Sequence, residues 1–168
     1  MALTKIQSLG ITDGTIVNAD INASAAIAGT KLSGAGKVLQ VVTATDQTSR
    51  NTSSTSFVTA SNTLSVSITP SSASNKVFII AQFSSGQGAS AETIYTIFRG
   101  ATNIGNSNNG FARLSTGTGG MATIAYLDSP STTSSTTYQV QLRLNGTDTN
   151  TLNWNSCLGS ITVMEIKG

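Results

Sequence analysis

The sequence predicts an all-β chain, a jelly-roll-like β-sandwich preceded by an extended N-terminal arm, and three observations carry that prediction. Only 10% of the 168 residues are charged, well below the roughly 25% usual in globular domains, while Ser and Thr make up about thirty per cent. Val, Ile, Leu and Phe recur in short blocks of period two. Clusters of Gly, Asn, Ser and Pro separate those blocks at turn-like intervals. Thr is β-branched and suits a pleated surface, whereas the Lys, Glu, Gln and Leu that build solvated helices are scarce. A hydrophobic share of 38% in periodic blocks is enough for a core, and this length suits one core rather than two.

Residues 1–35 differ in kind from the rest. They hold no aromatic residue, and from Ile11 their aliphatics, Ile11, Ile16, Ile21, Ile27 and Leu32, stand five or six residues apart among small and turn-forming neighbours. That spacing matches neither a helical period nor strand alternation, and such a segment buries too little surface to fold alone. The five side chains are therefore the candidate attachment residues, anchors for a partner chain. Ser33-Gly-Ala-Gly36 reads as the hinge, and the sandwich domain is expected over 36–168.

Strand signals follow in order: Val38 to Thr45, Ser56 to Ala60, Thr63 to Thr69, Lys76 to Phe83, Thr93 to Arg99, Gly110 to Leu114, Met121 to Asp128, Thr137 to Leu144 and Leu158 to Ile166. The alternation is plainest where Leu64, Val66 and Ile68 interleave with Thr and Ser, and where Tyr138, Val140, Leu142 and Leu144 interleave with Gln and Arg. Turns are expected at Thr69-Pro70, Ser84 to Gly88, Asn106 to Gly110, Thr116 to Gly120, Asp128 to Ser131 and Asn145-Gly146. Eight or nine short strands so spaced make a sandwich. Lys76 to Phe83 is nearly continuous in apolar residues, which implies cover on both faces and, in a small sandwich, a neighbouring subunit over one of them.

The chain has no histidine, so Ser-His-Asp and Cys-His catalysis and every imidazole metal site are excluded. The seven acids, Asp13, Asp20, Asp46, Glu92, Asp128, Asp148 and Glu165, read as turn and strand-end residues rather than a glycosidase pair. Asp148-Thr-Asn150 lacks the further acidic ligands of a calcium loop and reads as a hairpin turn. The glycine-rich stretches 86–88 and 116–120 are not followed by Lys-Ser/Thr or a helix signal, so they are hairpin tips rather than phosphate cradles. Cys157 has no base to activate it and is expected to be a buried thiol. Trp154, Tyr95, Tyr126 and Tyr138 are expected in the core; exposed, they would suit stacking on sugar rings. No catalytic, cofactor or metal residues are assigned, and the chain is read as a non-enzyme.

The Lys and Arg residues never sit side by side, so nucleic acid is not an expected partner. Met1 to Gly10 is mixed and polar rather than signal-like, and no apolar run approaches the eighteen or so residues of a span. Synthesis in a cytoplasm without membrane insertion is expected.

The opening Met-Ala-Leu-Thr-Lys-Ile-Gln-Ser-Leu-Gly and the run Ala19 to Leu32 resemble the N-terminal segments of virion proteins of marine phages, especially cyanophages. Gly36 to Val42, the Ser56-Phe-Val stretch and the closing Gly159 to Ile166 are similar to a small tail-fibre-like β-domain of the same setting. The resemblance implies a bacteriophage virion structural protein made in the bacterial host cytoplasm, a homotrimer serving as a capsid decoration (cement) protein or a short fibre or knob. It implies other virion proteins, major capsid or tail, as partners; the alternative is a receptor- or glycan-binding tail-fibre tip that meets a host surface glycan.

Overall fold

The structure, a computed structural model, describes residues 37–88, 90–115, 117 and 119–168. The strands are β1 (Val38–Asp46), β2 (Arg50–Thr52), β3 (Val58–Thr59), β4 (Ser65–Ile68), β5 (Lys76–Gln87) and β6 (Ala91–Arg99), followed by β7 (Thr102–Asn103), β8 (Ala112–Leu114), β9 (Gly120–Asp128), β10 (Thr136–Gly146), β11 (Asn150–Leu152) and β12 (Gly159–Ile166). A 3-10 turn, Trp154–Ser156, precedes β12. Every ladder among them is antiparallel.

Eight principal strands form two four-stranded layers, β1-β12-β5-β9 and β4-β10-β6-β8. Counting only these eight in chain order, the layers read 1-8-3-6 and 2-7-4-5, which is the strand order of a jelly roll. The expected jelly-roll-like β-sandwich is thus the observed fold of the described residues. The short strands elaborate this frame: β2 and β11 lengthen the first sheet beyond β12, while β3 and β7 lie along β10 and β6 of the second.

Alternation decides what faces the core. On β5, Val77, Ile79, Ala81 and Phe83 are fully buried, and on β12 so are Ile161 and Val163. Facing them from the second sheet stand Tyr138, Val140 and Leu142 of β10 with Tyr95 and Ile97 of β6. The Phe83 and Tyr95 rings meet across the sheets with centroids 4.6 Å apart. At Gly110, φ is +56° and a Cβ would lie 2.2 Å from the Tyr95 carbonyl oxygen, so only glycine lets the chain close onto β6 there.

Low charge does not mean an absence of buried polar groups, and hydroxyls and amides satisfy the buried carboxylates. Glu165 on β12, 1% exposed, accepts hydrogen bonds from Gln40 Nε2 (2.6 Å), Ser71 N (2.6 Å), Ser71 Oγ (2.7 Å) and Asn75 Nδ2 (2.5 Å). Burial pushes its pKa up, but these donors outweigh burial and hold it at about 2. Asp46 accepts from Ser61 Oγ, Thr48 N and Arg50 Nε; burial again opposes, and again the donors hold the carboxyl well below the usual range. Asp128 of β9 takes Arg99 Nη1 on both oxygens at 2.9 Å and Tyr138 Oη at 2.6 Å, tying the two sheets at one end. At the other end Tyr95 Oη donates to Ser85 Oγ at 2.6 Å and Asn150 Oδ1 at 3.2 Å; burial pushes the phenol up to about 12 against those bonds.

The structure differs from the sequence reading in several local respects. The strand expected over Ser56 to Ala60 shrinks to Val58–Thr59, because Phe57 turns to pack edge-on against Phe98 instead of joining the ladder. Asn145-Gly146 is no turn: it ends β10, pairing with Glu92 and Ala91, and the chain reverses beyond it. Strands β2, β7 and β11 are too short and too polar to show alternation, and they form because neighbours supply the pairing.

Candidate functional site

The five proposed attachment residues, Ile11, Ile16, Ile21, Ile27 and Leu32, lie outside the described residues, as do the hinge 33–36 and the arm as a whole. Within the domain, the residues with most to offer a partner lie on the outer side of the first sheet.

Because β5 alternates, the side chains between its core residues point away from the second sheet. Register aligns Val41 (β1), Met164 (β12), Phe78 (β5) and Leu127 (β9) in one row across four strands, about 14 Å at the usual strand spacing. Val41 is 55% and Leu127 45% exposed. The next row is Thr43, Thr162, Ile80 and Ala125, and the one after it Thr45, Ser160, Gln82 and Thr123. None of these twelve positions carries a charge. The expectation of a β5 apolar on both sides is met, with its outer side only half-buried: Phe78 and Ile80 are intermediate in exposure.

Farther along the same outer side, where β5 reaches Ser84 and Gly86, the 3-10 turn covers the sheet. Its backbone is unusual: Asn153 (φ 52°), Asn155 (φ 55°) and Ser156 (φ 56°) all occupy the left-handed region. Each costs of order 1 kcal/mol and persists only if the surroundings enforce it. Here Asn153 is buried, its N–H donates to the Ser84 carbonyl (2.9 Å), and its own carbonyl accepts from Ser49 Oγ (2.8 Å) and Ser156 N (2.9 Å). Ser84 Oγ donates to the Trp154 carbonyl at 3.1 Å.

The turn presents the Trp154 indole, 43% exposed, instead of burying it. Two glycines make room for the ring. A Cβ on Gly86 would come within 2.7 Å of its five-membered ring, and a Cβ on Gly119 within 1.9 Å of its six-membered ring. Gly88 and Gly117 continue the wall, joined by the Gly117 N–H donating to the Gly88 carbonyl at 3.1 Å. Together with Thr149 and Thr151 they enclose an open groove of about 560 Å³. Gly86 and Gly88 at the end of β5 and Gly117 and Gly119 ahead of β9 thus meet at one place. The 102–110 loop does not line this groove; it packs on the second sheet, where Arg143 Nη2 donates to the Asn108 carbonyl.

The aromatic expectations divide. Tyr95 and Tyr138 are core residues, but Trp154 and Tyr126 are exposed, Tyr126 stacking on Phe111 with centroids 4.9 Å apart. Cys157, expected to be buried, is exposed, because the strained turn carries it out of the apolar block that surrounds it in sequence. Among the described residues no group of three His, Cys, Asp or Glu is placed to hold a metal ion, and no helix is long and apolar enough to cross a membrane. Asn150 is buried and bonded to Ser85 Oγ and Gly86 O, while Asp148 accepts from Ser90 N and Thr149 N, so the Asp148–Asn150 stretch braces strand ends.

No family model and no curated protein matches the chain. Among solved structures, it is similar to a mutant VP2 protein of infectious bursal disease virus from derived T=1 particles, with a TM-score of 0.44 and 14% identity over 76% of this chain. The match takes in 36% of that protein, so this chain spans about a third of its length.

Proposed function

We propose that this chain is a non-enzymatic structural protein of a bacteriophage particle, a homotrimeric decoration or short fibre/knob protein whose arm, residues 1–35, attaches it to capsid or tail proteins. The observation that carries the reading is the uncharged outer side of the first sheet, where Val41, Met164, Phe78 and Leu127 form a row with no polar residue in it. Soluble monomers seldom leave a contiguous apolar patch of this kind facing water, and a second copy of the same chain is the partner always present at matching concentration. Among the described residues β1 pairs only with β12, so nine residues of a sheet edge carrying neither Lys nor Pro border the same patch.

Two measurements test this. Sedimentation equilibrium of the full chain should give three times the 17.2 kDa chain mass; a monomer at micromolar concentration overturns the subunit reading. Deleting residues 1–32 should leave a folded, soluble domain that no longer joins particles; normal incorporation of the truncated chain overturns the attachment role.

A further inference from the structure

We infer that the Trp154 groove binds the neutral pyranose ring of a glycan, with the indole as its stacking platform. This goes beyond the assembly role, since it concerns a different end of the outer side and needs no second subunit.

Three observations converge on it. The chain spends its single tryptophan on an exposed position and spends three left-handed non-glycine residues to hold it there. A residue meant only to fill space would be reached more simply by an ordinary turn with its ring inward. Both rings of the indole rest on glycines that any side chain would displace, so the platform is seated before a ligand arrives. The groove beside it has the size of small-molecule sites and the right mixture of surfaces: one large aromatic face, two threonines and glycines that leave room beside the ring.

The chemistry of the lining selects the ligand class. One face of a pyranose is a sheet of C–H groups, apolar and weakly positive, complementary to the negative face of an indole. The hydroxyls on its rim are both donors and acceptors; the Thr149 hydroxyl complements them in either sense, and Thr151 Oγ1, whose proton goes to Asn51 Oδ1 at 2.8 Å, accepts from them. Among the described residues no Lys or Arg lines the groove, and the Asp148 carboxylate lies against Gly88. Among the described residues sulfated, phosphorylated and sialylated sugars therefore meet no cation and one anion, and neutral hexoses and N-acetylhexosamines are favoured.

Because Trp154 is the only tryptophan, its fluorescence reports on this groove alone. Titrating the full-length protein with methyl glycosides of neutral hexoses and N-acetylhexosamines should give a saturable change in emission, and the same protein on a glycan array should retain neutral glycans over anionic ones. Trp154→Ala should lower array binding by about tenfold or more, and Trp154→Phe by less, with circular dichroism and assembly mass unchanged. Gly119→Ala, which leaves the indole present but pushes it off its seat, should also weaken binding. Absence of saturable binding by the wild-type chain, equal binding by Trp154→Ala, or preference for anionic glycans each overturns the assignment. None of these outcomes alters the assembly mass on which the structural role is judged.

Discussion

The outer sides of the two sheets solve the same problem in different ways. On the second sheet the outward positions of β10 are Gln139, Gln141, Arg143 and Asn145, and those opposite on β6 include Glu92, which pairs with Arg113. Its one large outward aromatic, Phe98, is covered by Phe57, over which the Arg143 guanidinium sits 5.6 Å from the ring centre. Among the described residues the first sheet has no such covering over its corresponding twelve positions and no charge at them, only a row of large apolar side chains giving way to Thr, Ser and Gln. Both sheets bury their inner sides equally well, so folding cannot account for the difference. Among the described residues the second sheet's outer side carries charge and cover, and these rows of the first sheet carry neither.

The sharpest way to break that contrast is to compare the two sides of a single strand. Phe83→Ala on the inner side of β5 should cost about 3–5 kcal/mol, read as a lower denaturation midpoint, since the fully buried ring leaves a cavity against Tyr95. A loss below about 1 kcal/mol would mean that the inner side is not the core.

Next in size is Glu165→Gln, which leaves donors aimed at a weaker acceptor and should cost about 2–3 kcal/mol at neutral pH. The sign with pH follows from the lowered pKa. The carboxylate binds its proton near 4.5 when unfolded and near 2 when folded, so its stabilisation is complete above about 4.5 and is lost as pH falls towards 2. Chemical denaturation of both proteins across that window should show their difference shrinking as acid is added; a constant difference would remove charge from the explanation.

On the outer side, Leu127→Ser should change monomer stability by less than about 1 kcal/mol, because the side chain is already 45% exposed, yet shift sedimentation towards monomer. An unchanged mass would leave the apolar row without an assembly role. The smallest effect belongs to Cys157. It should react fully with a thiol reagent in the native protein, with stability altered by no more than about 0.5 kcal/mol, whereas a thiol that reacts only after unfolding would restore the buried reading.

Much of the frame was legible in advance because period-two alternation and turn chemistry are local. All nine expected strands correspond to observed ones, and the continuous apolar run over Lys76 to Phe83 correctly marked a strand with two apolar sides. The groove was not legible in the same way. Gly86, Gly88, Gly117 and Gly119 looked like two unrelated hairpin tips, and Trp154 and Cys157 looked like core residues because their neighbours Leu152 and Leu158 are apolar. Only the coexistence of a lone tryptophan with Asn on both sides, residues that tolerate left-handed backbone, hinted at a turn in that apolar block.

By itself, then, the sequence determined the class of fold and the absence of imidazole chemistry, since each depends on composition or on side-chain spacing along the chain. Tertiary structure decided which apolar residues find cover and which do not. Burial is a property of what lies across the sheet or beyond it, so Phe83 and Phe78, five residues apart with similar neighbours, part company only when the second sheet closes over one of them. Trp154 is exposed for the same reason: the backbone that lifts it out is held by Ser49 and Ser84, far away in the chain.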